Sequence, residues 1–169
     1  MTLTERFERL SLLLYDTRVS AQVLEREVFP FIAPNVGFVD PWQSGGGADT
    51  YRLGAVGFHC MFKFHFAPEQ VSVQLEPDAR RGRALVDGVM QLQLLEPLFT
   101  YPLRTILVFR FALDDEGQPQ IYSHEELWSF GDMIAALPLL GSWYSGTFRP
   151  AFSRGFLLAS RLCAWRHRA

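Results

Sequence analysis

Two apolar runs, at residues 83–95 and 103–113, constrain what this chain can fold into more than any other feature. In the second, Leu103, Thr105, Leu107, Phe109, Phe111 and Leu113 share one face of an extended strand, while Arg104, Ile106, Val108, Arg110 and Ala112 share the other. In the first, Val86, Gly88, Met90, Leu92 and Leu94 lie opposite Leu85, Asp87, Val89, Gln91 and Gln93. Each strand has one thoroughly apolar face and one mixed face, the pattern of an antiparallel sheet covered by helices on one side. Both runs exceed the usual strand of about 5–6 residues, so the sheet must bend to stay within a small domain. The residues before the runs have to fill that curve, and those after them have to close or extend it.

Material for the filling is abundant. Of 169 residues, 49% are apolar and 14% aromatic, with 15 Phe. That suffices for a single domain with a real core, and also for lining a ligand cavity. A net charge of −2 lacks the basic excess of a general nucleic-acid binder, so no nucleic-acid partner is expected. Charge is uneven, because residues 149–169 hold five Arg and no acid. Cys60 and Cys163 fit neither a disulfide framework nor a metal-type spacing, so a reducing, cytoplasmic setting is expected. Residues 1–9 carry Glu5, Arg6, Glu8 and Arg9 and lack the pattern of a signal peptide.

Before the two runs the period is helical. Thr4 opens a first helix with Glu5 and Glu8 in its first turn and the stripe Phe7, Leu10, Leu13, Leu14. A second helix is expected over residues 19–29 on Val19, Val23, Leu24 and Val28, ended by Pro30 and Pro34. Residues 36–40 read as a short strand stopped by Pro41. Gly45-Gly46-Gly47 reads as a flexible lip, after which a third helix from Ala48 or Asp49 carries Tyr51, Val56, Phe58, His59, Cys60, Phe62 and His65. Gly54 and Gly57 weaken that helix intrinsically, which points to close packing against the sheet. From Gln70 the period is two. A wide link over residues 96–102 and turns around Pro77-Asp78 and Asp114–Gly117 separate four antiparallel strands, the last at 120–128. The sum is an α+β domain with its helices on one face.

This order, with Phe38-Val39-Asp40-Pro41, the glycine run, Tyr51 and the closing stretch Ile121-Tyr122-Ser123-His124-Glu125-Glu126-Leu127-Trp128, resembles the nuclear-transport-factor-2-like superfamily. Its members include ketosteroid isomerases, SnoaL-like polyketide cyclases, dehydratases and non-catalytic scaffolds. The resemblance covers about residues 4–130 and implies a cone: a curved antiparallel sheet wrapped around the N-terminal helices. Residues 1–137 are expected to form that domain and residues 138–169 an amphipathic C-terminal helical extension. It also implies that Asp40 matches the general base of the isomerases, a carboxylate whose pKa burial in an apolar cavity would raise. Tyr15 matches the position of their oxyanion-stabilising hydroxyl. Those enzymes place a second, protonated acid on the penultimate strand, where Leu107 stands here. Loss of that donor would cost ~3 kcal/mol of transition-state stabilisation, which argues against steroid isomerisation by their scheme.

The residues themselves leave alternatives open. Asp-Pro also caps strands and starts turns, and Tyr15 also suits packing at a helix end. Tyr122, His124, Glu126 and Trp128 share a strand face, which is either an acid–base wall of a cavity or an outward face for dimerisation. Met90, Leu107, Phe109 and Trp42 are the expected apolar lining, with Tyr51 and Phe58 from the third helix and with Asp40 and Tyr15 as polar anchors. His59 and His65 do not share a helical face as two zinc ligands would, so no metal is expected. No cofactor is expected either, since phosphate-loop, dinucleotide and nucleophilic-serine patterns are missing.

Residues 137–148 are apolar but broken by Pro138, Gly141 and Gly146, too short to span a bilayer. From Ala151, Phe152, Phe156, Ala159, Leu162, Cys163 and Trp165 oppose Ser153, Arg154, Ser160, Arg161 and Arg168. Such a helix either docks across the cone or meets a membrane surface. Three functions fit these features. The first is binding of a hydrophobic small molecule (lipid, steroid or polyketide-like) in the cavity without catalysis. The second is an isomerase, cyclase or dehydratase with Asp40 or His124 as base. The third is a non-catalytic scaffold, a homodimer through the sheet face or a peripheral membrane protein.

Overall fold

The computed structural model describes residues 1–94, 99–128 and 140–166. Helix α1 (Leu3–Leu14) starts one step earlier than Thr4. Thr2 accepts the Glu5 N–H at 3.2 Å and gives its own N–H to the Glu5 carboxylate at 2.7 Å, a reciprocal cap that leaves Thr4 inside the helix. The stripe Phe7, Leu10 and Leu14 is buried. Helix α2 (Ala21–Glu27) is shorter than its pattern, because Pro30 draws Phe29–Phe31 into a 3-10 turn. Strand β1 (Ile32–Val39) then begins earlier than expected and runs through Pro34. It can do so because its pairing is interrupted between Ile32 and Gly37, where the missing N–H is not needed.

Strand β2 (Ser44–Gly46) takes up two of the three glycines, paired to β1, so the expected lip is a short strand. Helix α3 (Ala48–Met61) comes next, and β3 (Lys63–Leu75) begins well before Gln70, which moves His65 from a helix to a strand. The two long runs become β4 (Arg81–Leu94) and β5 (Phe99–Leu113), and β6 (Pro119–Trp128) closes the series. The sheet order is β2-β1-β6-β5-β4-β3. Strands β3 to β6 form the expected antiparallel meander, while β1 joins β6 in parallel, so the curved sheet is mixed.

The apolar faces of β4 and β5 turn inward as their alternation requires. Val86, Met90, Leu107, Phe109 and Phe111 are buried, and Phe7 of α1 packs on Phe109 and Phe111 with ring centroids 5.6 and 4.9 Å apart. Strand β6 departs from simple alternation. Phe111 pairs with Ile121 and Arg110 with Ser123, so Tyr122 is bulged out of register. Ile121 therefore shares the inner face with His124, Glu126 and Trp128, and Tyr122 does not.

After β6 the chain is described again as a short helix α4 (Leu140–Trp143), a π-helical turn (Tyr144–Phe148) and the long helix α5 (Arg149–Arg166). Helix α5 packs along α3, where Gly57 lies against Ser160. The close packing signalled by Gly57 is thus against a helix, not the sheet. The expected boundary at 137/138, the start of the apolar stretch at 137–139, residues 95–98 of the first run and its link, and Arg168 lie outside the described residues.

Candidate active site

The site is built where α1 ends. Tyr15 caps that helix, and its carbonyl accepts the Phe66 N–H at 2.9 Å, so the phenol is fixed to β3 and directed into the cone. Tyr51 stands on the first turn of α3, and His124, Glu126 and Trp128 point inward from β6 after the bulge. All five side chains are buried.

Their hydrogen bonds form one chain. Tyr15 Oη donates to Glu126 Oε1, and Trp128 Nε1 donates to Glu126 Oε2 at 2.9 Å. His124 Nε2 lies 3.2 Å from Tyr15 Oη and Nδ1 lies 2.8 Å from Tyr51 Oη. With the Tyr15 proton directed to Glu126, the His124 Nε2–H donates to Tyr15 and Nδ1 accepts from Tyr51, which leaves the Glu126 carboxyl proton to point into the cavity. His124 is therefore neutral, and burial holds its pKa down at about 3. Its ring stacks on Phe109 with centroids 4.4 Å apart. Burial also raises both tyrosines well above their ordinary value.

The two carboxyls differ. Burial, then the nearby Asp40 charge, pushes Glu126 up to about 8 against the bonds from Tyr15 and Trp128, so Glu126 is a protonated acid at neutral pH. Asp40 ends β1 in a turn: Oδ1 accepts the N–H groups of Trp42 at 2.6 Å and Gln43 at 2.7 Å, and Oδ2 accepts Gln43 Nε2 at 3.1 Å. The turn-forming role expected of Asp-Pro is real, but it does not exhaust Asp40, which is only 5% exposed and faces the cavity. Burial raises its pKa to about 6, opposed by the Gln43 and Trp42 hydrogen bonds and the Arg149 charge. Both carboxyls therefore face the same space with raised pKa values, Glu126 the higher.

That space is a cavity of ≈ 70 Å³, room for about two waters at ~30 Å³ each. Tyr15, Asp40, Tyr51, His124, Glu126 and Trp128 line it, and so does Phe58. Trp42, Met90, Leu107 and Phe109, expected as lining, are not in its wall. Met90, Leu107 and Phe109 are spent on the packed core, and Trp42 packs on Trp128 and on Tyr144, Phe148 and Phe152 of the C-terminal segment. Residues 44–46 rim the opening, and Ser153 and Leu157 of α5 complete the wall.

The sequence did not single out Gln43, Arg149, Ser153 or Leu157 for the site. Arg149 donates to the carbonyl oxygens of Asp40 and, at 3.4 Å, Gln43, while Tyr144 Oη donates to the Pro41 carbonyl. These contacts clamp the Asp40 turn from the far end of the chain. The only signal for them was the run of aromatic and basic residues after position 143.

No family model matches the sequence, and no curated protein matches it. Solved structures match over most of the chain at low identity. One is provisionally named a scytalone dehydratase, from Novosphingobium aromaticivorans (TM-score 0.58, 11% identity, 74% of this chain and 80% of that one). A second, from the same organism, is described as an NTF2-like protein with a cystatin-like fold (0.57, 10%, 75% and 79%). A third, from Shewanella frigidimarina, is provisionally named a ketosteroid isomerase (0.55, 10%, 73% and 92%).

Proposed function

The chain has the nuclear-transport-factor-2-like fold, and we propose that its cavity moves a proton on a small apolar molecule carrying a carbonyl or hydroxyl group. One observation carries this reading: two buried carboxyl groups, Asp40 and Glu126, line one cavity, where burial raises the pKa of both and of Glu126 the more. Binding alone does not require both. Asp40 is the base. Its Oδ2, held among the described residues by the Gln43 amide alone, has lone pairs left for a C–H or O–H proton. Glu126, tied to Tyr15, is the acid that donates to the oxygen on which charge develops. In this reading His124 positions Tyr15 and is not the base, because Tyr51 holds its Nδ1 and burial opposes the proton it would have to take up.

The second acid that Leu107 fails to supply is supplied here from the neighbouring strand, since Leu107 pairs in register with Glu126. The provisional names of two neighbours, a dehydratase and an isomerase, belong to the same chemical class. The cavity volume restricts the buried part of the substrate to a few heavy atoms, with any larger remainder at the rim of residues 44–46.

The test is exchange of α-protons of a simple ketone, cyclohexanone, in deuterated buffer, followed by proton NMR. Wild-type protein is expected to accelerate exchange above buffer. Asp40→Asn is expected to abolish the acceleration, and Glu126→Gln to lower it about 100- to 1,000-fold. No acceleration by the wild type, with a ligand recovered by organic extraction of the purified protein, would favour binding without turnover.

A further inference from the structure

We infer that the outward face of α5 docks on an anionic phospholipid surface. The helix is used on two sides. Phe156 and Ser160 are buried, and Ser153 and Leu157 wall the cavity. On the opposite side Leu158, Leu162 and Trp165 recur at positions i, i+4 and i+7 and are 60%, 61% and 73% exposed. Arg154 and Arg161 are exposed on that side too, so the expected split fails: Leu162 and Trp165 share a side with these Arg while Ser160 faces inward, and neither Arg has an ion-pair partner among the described residues.

Charge selects the occupant. Of the five Arg in residues 149–169, Arg149 is held on the Asp40 turn, and Arg154 and Arg161 stand on this face, while the segment holds no Asp or Glu. A second copy seated symmetrically on the same face would bring Arg154 and Arg161 against their own equivalents with no carboxylate on the helix to offset them. An anionic bilayer offers hydrocarbon to the two Leu, an interface to the Trp, and phosphate or carboxylate to the Arg. Among the described residues no helix is long and apolar enough to cross a membrane, so α5 would lie in the surface, not through it. This docking does not depend on what the cavity binds or converts.

The test is co-sedimentation of the full chain with phosphatidylcholine vesicles, with and without phosphatidylserine, at low and high salt. The wild type is expected to sediment with the phosphatidylserine vesicles, and less so without that lipid or at high salt. Arg154→Gln with Arg161→Gln is expected to weaken the partition roughly thirtyfold. Leu158→Ser, Leu162→Ser and Trp165→Ser together are expected to abolish it, with the circular dichroism of the wild type retained. Protein that stays in the supernatant with anionic vesicles at low salt overturns the inference. So does equal binding of the double Arg variant, or a dimer in sedimentation velocity that the triple variant dissolves, which would give the face to a second copy.

Discussion

Glu126 shows how far its surroundings change one side chain. An unfolded chain ionises it near 4.5, but the folded one keeps its proton until about 8. Between those values the folded state binds the extra proton, so stability falls as pH rises through that window. Asp40 acts in the same direction between 3.8 and about 6. His124 acts in the opposite direction: the unfolded chain takes a proton near 6.5 that the folded one refuses until about 3, so its contribution is lost as pH falls. Replacing Glu126 by Gln should remove the largest of these dependences at neutral pH. Urea midpoints between about pH 5 and pH 8 should then fall less for the variant than for the wild type. Parallel slopes would mean that Glu126 is ionised in the folded protein. In sequence terms Glu126 was legible as a residue facing the same way as His124, but not as the missing acid, because only strand register reveals that it stands opposite Leu107.

At the level of elements, the bulge at Tyr122 and the α3–α5 pair decide the site. Without the bulge, Ile121 and His124 would face opposite sides of the sheet, and either the core or the polar network would be lost. The helix pair closes the cavity at a point of very close approach. A Cβ added at Gly57 would lie 1.9 Å from Ser160 Oγ and 3.2 Å from its Cα, so rotating one side chain cannot relieve the clash. Gly57→Ala should therefore cost about 1–3 kcal/mol, and Ser160→Gly in the same chain should recover part of it. Thermal unfolding of the three variants reads this directly, and an unaltered melting temperature for Gly57→Ala would show that the helices separate easily. Of the two glycines in α3, Gly57 announced a close contact, whereas Gly54 has no atom within 4 Å of an added Cβ. The partner of Gly57, Ser160, lies about a hundred positions later in the chain and was not readable from local pattern.

For the molecule as a whole, the curved sheet and α1 form one core with Phe7 at its centre, fully buried against Phe109 and Phe111. Phe7→Ala should cost about 3–5 kcal/mol, a large share of the ~5–15 kcal/mol that usually holds a domain. A urea titration that shows little loss would place the core elsewhere. By itself the sequence determined the long strands, which of their faces is apolar, the helices that fill the curve, and the fold these imply. Such properties are periodic and local, written within a few residues. Only the tertiary structure decided that β1 lies parallel to β6, that Met90, Leu107 and Phe109 are core and not cavity wall, and that His124, Glu126 and Trp128 face inward. It alone placed Arg149 on the Asp40 turn and buried Glu126 so that its pKa is raised. Register, bulges and desolvation are set by neighbours distant in the chain, and no local pattern encodes them.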